Sequence, residues 1–222
     1  MSNLKKTVKI DCKNTIILKD MISSINKREK PVTKKTLKEM VGLVRNGADP
    51  TVRGWGGSSV LELALLKPEI DLADELIDLG ADIYARFTDN LCLLRHLVLH
   101  GSIESIHLII ERGCDLNVKY KFNGETPIFL AVREQNIDAL NLLLNNPGVD
   151  LLAVNDNGET LLDVARNPAL GSTRHNSGTQ ALITAKAIRE KVELEFNKRK
   201  EQEALASYKR DIGEELKAAL KV

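Results

Sequence analysis

The chain has 222 residues, 43% of them hydrophobic, 28% charged and only 4% aromatic. Leu, Ile, Val and Ala must therefore fill the core, which suits helix-on-helix packing and argues against a β-sandwich. A formal net charge of +1 supplies no global field for nucleic acid or an anionic membrane, and three cysteines without a C-x-x-C pair argue against a disulfide framework or a zinc knuckle.

Residues 1–13 read as a tail. They alternate polar and apolar residues and lack the apolar run of a signal peptide. No stretch approaches the ~20 apolar residues of a membrane span. A helix is predicted over 15–28, with Leu18, Met21, Ile22 and Ile25 on one face. Pro31 breaks it, and Thr33 is placed to cap a second helix over 34–45. These two helices form a divergent first repeat, 14–50, that caps the N-terminal end of a stack.

From there the chain repeats itself. Gly47-Ala48-Asp49 returns as Gly80-Ala81-Asp82, Gly113-Cys114-Asp115 and Gly148-Val149-Asp150, each after an apolar helix-like run. A second marker keeps the same phase. Gly57-Ser58-Ser59-Val60-Leu61-Glu62-Leu63-Ala64 corresponds to Gly124-Glu125-Thr126-Pro127-Ile128-Phe129-Leu130-Ala131 and to Gly158-Glu159-Thr160-Leu161-Leu162-Asp163-Val164-Ala165, with a degenerate copy beginning at Asn90. The glycines fall where helices end and a left-handed residue is needed. Thr126 is placed to cap the helix that Pro127 opens, predicted over 127–134, and a partner helix is predicted over 137–145. Neither helix can bury its apolar face alone, so neighbouring repeats must stack.

The sequence from about Thr33 to Ala169 resembles the ankyrin-repeat family, whose period is near 33 residues and whose opening motif is Gly-x-Thr-Pro-Leu-His-x-Ala. Thr126-Pro127 is the best match. The motif's histidine is replaced here by Glu62, Arg95, Phe129 and Asp163, and the Asn90 copy has lost its glycine, Thr-Pro pair and alanine. The resemblance implies an all-α ankyrin solenoid of helix-turn-helix units with short hairpin loops. Its repeats fall at 51–83, 84–116 and 117–152, with a fifth from 153. The repeat domain is thus 14–170, followed by a loop and a charged helical extension, 171–222.

That extension is predicted as helix from about 179 to 220, with an apolar stripe through Leu182, Ala185, Ile188, Val192 and Phe196 that resumes at Leu205, Tyr208, Ile212, Leu216 and Leu220. Two readings stand open: a polar cap sealing the last repeat, or a coiled-coil arm through which 179–220 self-associates.

Cys92, His96 and His100 share a spacing of four, and His107 follows, so a metal site can be imagined. The repeat register opposes it, because Cys92 and His96 align with the core-directed Thr126 and Leu130. No Ser-His-Asp or Cys-His arrangement is visible, and Gly54-Trp55-Gly56-Gly57 lacks the lysine of a phosphate-binding loop. The expectation is a chain that is not an enzyme, without cofactor or metal, that works on a protein partner in a cytoplasmic, reducing compartment, and not on nucleic acid or membrane.

In ankyrin proteins the hairpin tips and the exposed ends of the first helices form the concave surface that grips partners. Carried over by residue, that surface comprises Trp55, Gly56, Ser58, Leu66 and Lys67; Thr88, Asp89, Leu91, Leu99 and His100; Phe122, Asn123, Glu125, Arg133 and Glu134; and Asp156, Asn157 and Glu159. Trp55 and Phe122 occupy equivalent tips, with Phe87 and Tyr120 nearby, and aromatic rings are favoured binding anchors. The alternative is a scaffold or assembly protein that uses its C-terminal arm. Degenerate arrays rich in Lys and Asn also resemble those that some intracellular bacteria deliver into host cells, which would place the chain in a host cytosol.

Overall fold

The computed structural model describes residues 10–27, 31–84, 92–166, 186–194, 197–198, 200–202 and 205–206. Among them the helices are α1 (Cys12–Asn26), α2 (Lys34–Arg45), α3 (Val60–Leu66), α4 (Ile70–Asp78), α5 (Leu93–His100), α6 (Ile103–Glu111), α7 (Pro127–Arg133), α8 (Ile137–Leu144) and α9 (Leu161–Arg166). Consecutive helices pair as α1 with α2, α3 with α4, α5 with α6 and α7 with α8. The pairs stack into an inner row, α3, α5, α7 and α9, and an outer row, α2, α4, α6 and α8. This is the all-α solenoid that the repeat implied, and one continuous apolar core runs from Leu18 in α1 to Ala165 in α9.

Local chemistry explains the helix ends. Thr33, Ser59 and Ser102 each accept a hydrogen bond from the third amide of their helix through the side-chain hydroxyl. At the far ends, Gly47, Gly80 and Gly113 have φ of 93°, 97° and 83°. The amides of Ala48, Ala81 and Cys114 reach back to the carbonyls of Leu43, Leu76 and Ile109, the six-to-one closure of a Schellman turn. The fourth glycine departs from this pattern. Gly148 has no positive φ; its amide bonds to the Asn146 side chain instead, because the longer last interval adds Asn146 and Pro147 between the C-cap Asn145 and the glycine.

Three expectations shift. The first helix starts at Cys12 rather than Thr15, because the Asp11 carboxylate accepts from the amides of Lys13 and Asn14, and it ends at Asn26 rather than Arg28. Thr126 stands at the N-cap but makes no side-chain cap bond. The Phe129 amide that would supply the donor is taken by the backbone carbonyl of Thr126 itself, and the Thr126 hydroxyl is buried without a hydrogen-bond partner. The helices expected to end at Glu134 and Asn145 end one residue earlier, with those residues as C-caps.

Ion pairs run between the outer helices. Arg45 of α2 grips Glu75 of α4 with two nitrogens, Lys34 meets Glu69 at 2.5 Å, and Arg112 after α6 reaches both Asp74 and Asp78. Residues 186–194 are helical and lie on the last repeats: Ile188 is fully buried in the common core, Val192 packs against it, and Lys191 Nζ donates to Asn145 Oδ1 at 2.8 Å. Of the apolar stripe predicted for the extension, Ile188 and Val192 therefore face the core. Leu205 is exposed, and Leu182, Ala185, Phe196, Tyr208, Ile212, Leu216 and Leu220 lie outside the described residues.

Candidate functional site: the hairpin tips and inner-helix ends

Among the inner helices, α3, α7 and α9 are each preceded by a short hairpin. The Gly54 amide bonds the Ser58 carbonyl, the Tyr120 amide the Glu125 carbonyl and the Asn155 amide the Glu159 carbonyl, each closing a tight tip. The first tip is fixed to the capping repeat. The Trp55 amide donates to Ser23 Oγ at 2.9 Å, and Gly54 sits so close to α1 that a Cβ there would lie 2.8 Å from the Ser23 amide. The later tips are fixed to each other by the Asp156 amide, which donates to the Asn123 carbonyl at 2.9 Å.

This scaffold presents Trp55 at 62% exposure and Phe122 at 66%, large values for rings of this size. Phe122 is braced. The Tyr120 ring meets it edge-on at 5.1 Å, and Lys121 Nζ lies 4.6 Å from its centroid. Tyr120 in turn carries the Arg95 guanidinium 4.2 Å above its own ring.

Of the other residues assigned to the strip, Lys67, His100, Asp156 and Asn157 are exposed, as is Gly56. Ser58, Leu66, Leu99, Asn123, Arg133, Glu134 and Glu159 are half-buried. Thr88, Asp89 and Leu91, with Phe87, lie outside the described residues. Glu125 needs correcting. It is 1% exposed, and its carboxylate is taken by Arg133, which also reaches Glu159 of the next repeat at 3.6 Å. Glu125 therefore shapes the strip from below and offers nothing to a visitor, because its side chain turns inward onto the α7 arginine.

The four positions that replace the motif's histidine each find their own solution. Glu62, buried in α3, lies 3.4 Å from His96 Nδ1 in α5. Arg95 stacks on Tyr120, and burial pulls its pKa below the ordinary value against the opposing charge of Glu125. Phe129 is packed in the core at 1% exposure. Asp163 accepts from the Thr160 amide and hydroxyl and so caps α9. The imagined metal ligands do not converge. His96 faces Glu62 and lies 5.1 Å from the His100 ring, while His107 pairs with Glu111 on α6. Among the described residues no group of three or more His, Cys, Asp or Glu could hold a metal ion, and no helix is long and apolar enough to cross a membrane.

The family model described as ankyrin repeats (3 copies) matches residues 94–174. The chain carries ankyrin repeats. Such repeats are in general protein–protein interaction modules, and domains built from them are typically non-catalytic. The array is similar to part of a Danio rerio protein named as a putative palmitoyltransferase, ZDHHC13, at 28% identity over 59% of this chain and 20% of the relative. It is also similar to parts of the E3 ubiquitin-protein ligase KEG of Arabidopsis thaliana, at 27% identity over 54% of this chain and 8% of the relative. A third is the nuclear factor NF-kappa-B p105 subunit of Gallus gallus, at 26% over 55% and 13%. The chain thus spans a fifth or less of the length of these curated relatives.

The ankyrin strip contains residues that sequence reasoning passed over. Lys119 and Lys121 are exposed and flank Tyr120, giving a basic-aromatic alternation, Lys119-Tyr120-Lys121-Phe122. That alternation was visible in the sequence, but only the hairpin geometry puts the Lys121 ammonium over the exposed ring, while Lys119 Nζ donates to the Val154 carbonyl at 3.3 Å. Tyr84 is 62% exposed, with its hydroxyl bound to the Gly113 carbonyl at 2.9 Å.

Proposed function

We propose that this ankyrin array binds a partner protein along the strip of hairpin tips and inner-helix ends, with Trp55 and Phe122 as its anchors. One observation carries the reading. Trp55 and Phe122, two of the exposed aromatic rings among the described residues, stand at equivalent tips of two repeats, on hairpins whose backbone amides are hydrogen-bonded. Exposed, pre-positioned aromatic side chains bury much area on contact at small entropic cost. The half-buried Ser58, Leu66, Leu99, Asn123, Glu134 and Glu159, with exposed Lys67, His100, Asp156 and Asn157, frame that contact; Thr88, Asp89 and Leu91 belong to the same proposal by their place in the sequence repeat. No activity is proposed from the palmitoyltransferase and ligase relatives, because the similarity covers only a fifth or less of each.

The test is quantitative capture from lysate by the native chain and by a Trp55→Ala, Phe122→Ala double variant, with a melting transition recorded for both. Proteins retained by the native chain should be lost by the variant, while stability changes by less than about 1 kcal/mol, as for exposed positions. Equal retention would remove the strip from consideration.

A second reading concerns the extension. Leu194 and Leu205, on helical residues, are 51% and 53% exposed, which suits self-association through that segment. Sedimentation of the full chain against a truncation after residue 177 decides it: a monomer in both eliminates the assembly role.

A further inference from the structure

Two thiols of this chain share one cavity. Cys92 stands at the N-cap of α5, and Cys114 lies in the turn that closes α6. Both line a cavity of about 180 Å³ where α5 begins and α6 finishes, together with Ile83, Tyr84, Asp115 and Val118. Each cysteine is 9% exposed, so a small molecule reaches them more readily than another protein chain does. Burial first, and then the charge of Cys92, raise the Cys114 pKa, which sets the two thiols within each other's electrostatic reach.

The pair is asymmetric. Cys92 lies at a helix N-terminus, where unpaired amides and the helix dipole favour an anion. One turn on, Arg95 is 8% exposed, and its Nε and Nη1 have no hydrogen-bond partner. A buried guanidinium with unfilled donors calls for a negative group beside it. Glu125 is the strongest of those acting on it, but Arg133 holds that carboxylate; Tyr120 and Cys92 are the others. At Cys114, by contrast, the neighbouring Asp115 adds to the opposition against a thiolate. Ionisation therefore favours Cys92, and the proton stays on Cys114.

We propose that Cys92 and Cys114 form an oxidation site for a small hydroperoxide, in which Cys92 attacks as the thiolate favoured by Arg95 and Cys114 resolves the product to a disulfide. With hydrogen peroxide, the Cys92 sulfur bonds to one oxygen and the O–O bond breaks. Cys92 becomes a sulfenic acid, and the departing hydroxide takes up the proton that Cys92 gave up, leaving as water. Loss of the Cys92 charge removes part of what holds the proton on Cys114. The Cys114 sulfur then attacks the Cys92 sulfur and the S–O bond breaks; the leaving hydroxide takes the Cys114 proton and departs as a second water. Two thiols lose two electrons in all, and one peroxide is reduced to two waters. The new bond ties the start of α5 to the turn after α6, and so an inner helix to its outer partner.

The test treats the full chain, carrying Cys12→Ser to remove the exposed thiol, with a small molar excess of hydrogen peroxide under native conditions. Remaining thiols are then blocked in denaturant, and the unreduced peptides are mapped by mass. The expected product is a cross-linked Cys92–Cys114 peptide that has lost two hydrogens. With Cys114→Ser the reaction should stop at a Cys92 sulfenic acid, which dimedone traps; with Cys92→Ser, Cys114 should stay reduced. Arg95→Met should slow the reaction about threefold, because the smaller thiolate fraction is partly offset by a more nucleophilic sulfur. Arg95→Lys, which keeps the charge, should restore the rate. Thiols that stay reduced in the parent chain, or that pair only in denaturant or between chains, would overturn the site, whether or not the Arg95 variants fold. Dimedone labelling of Cys114 in Cys92→Ser at the rate seen for Cys92 would overturn the assigned roles. Equal rates for Arg95→Met and the parent chain would overturn the part given to the arginine.

Discussion

Arg133 of α7 closes onto the buried carboxylate of Glu125, eight residues earlier in the chain, and with the same guanidinium reaches Glu159 of the following repeat. The interaction joins a hairpin, an inner helix and the next hairpin. Glu125 Oε2 has no hydrogen-bond partner, so the carboxylate depends on this arginine. Removing one partner of a buried pair leaves an uncompensated charge, which costs far more than removing both. Arg133→Met should therefore destabilise by roughly 2–3 kcal/mol, and Arg133→Met with Glu125→Gln by clearly less. Chemical denaturation of the four members of the cycle measures the coupling, and additive effects would refute it.

Gly124 and Gly113 both have positive φ, of 66° and 83°, yet they should respond differently to alanine. Nothing lies within 4 Å of a Cβ at Gly113, whereas at Gly124 it would collide with the Asp156 side chain and stand 2.9 Å from the Asp156 amide. Gly113→Ala should cost only the left-handed backbone penalty, about 1 kcal/mol. Gly124→Ala should cost at least about 2 kcal/mol and lower hydrogen-exchange protection of the Asp156 amide, which bonds to Asn123.

Burial pushes the Cys114 thiol up to about 12, while Cys12 is exposed. Brief alkylation at pH 8 followed by peptide mass mapping should modify Cys12 and spare Cys114, since the thiolate is the reactive form. The sign of the linkage is fixed. The folded state holds the Cys114 proton above the ordinary value of 9.0, so its contribution to stability is complete below pH 9 and declines between pH 9 and 12. A Cys114→Ala variant should show a flatter decline across that window.

Ile188 is fully buried although it lies more than twenty residues beyond α9. Ile188→Ala should destabilise by about 2–4 kcal/mol. Because the contact is with the last repeats, the loss should appear as earlier melting of that end, seen in hydrogen exchange at α9 before α3. A uniform shift of all repeats, or none, would contradict a sealing role for this turn.

The sequence alone determined the repeat, its phase and the helix pairs, because a glycine after each outer helix and an apolar run before it are local demands of the backbone, met within a few residues of one another. Thr33 and Lys34–Arg45 were legible for the same reason. It also determined that Trp55 and Phe122 share a register position. Only the tertiary structure decided which way side chains at equivalent positions turn. Glu125 reads as a tip residue but is drawn inward by an arginine one helix away, and Thr126 reads as a cap but loses its donor to its own carbonyl. Lys121 became part of the strip only when the hairpin set its ammonium over Phe122, and Arg45 met Glu75 only when the stack aligned helices that lie a repeat apart in sequence. Local pattern is read from neighbours in the chain; burial and charge pairing are set by neighbours in space, which a single linear period does not specify.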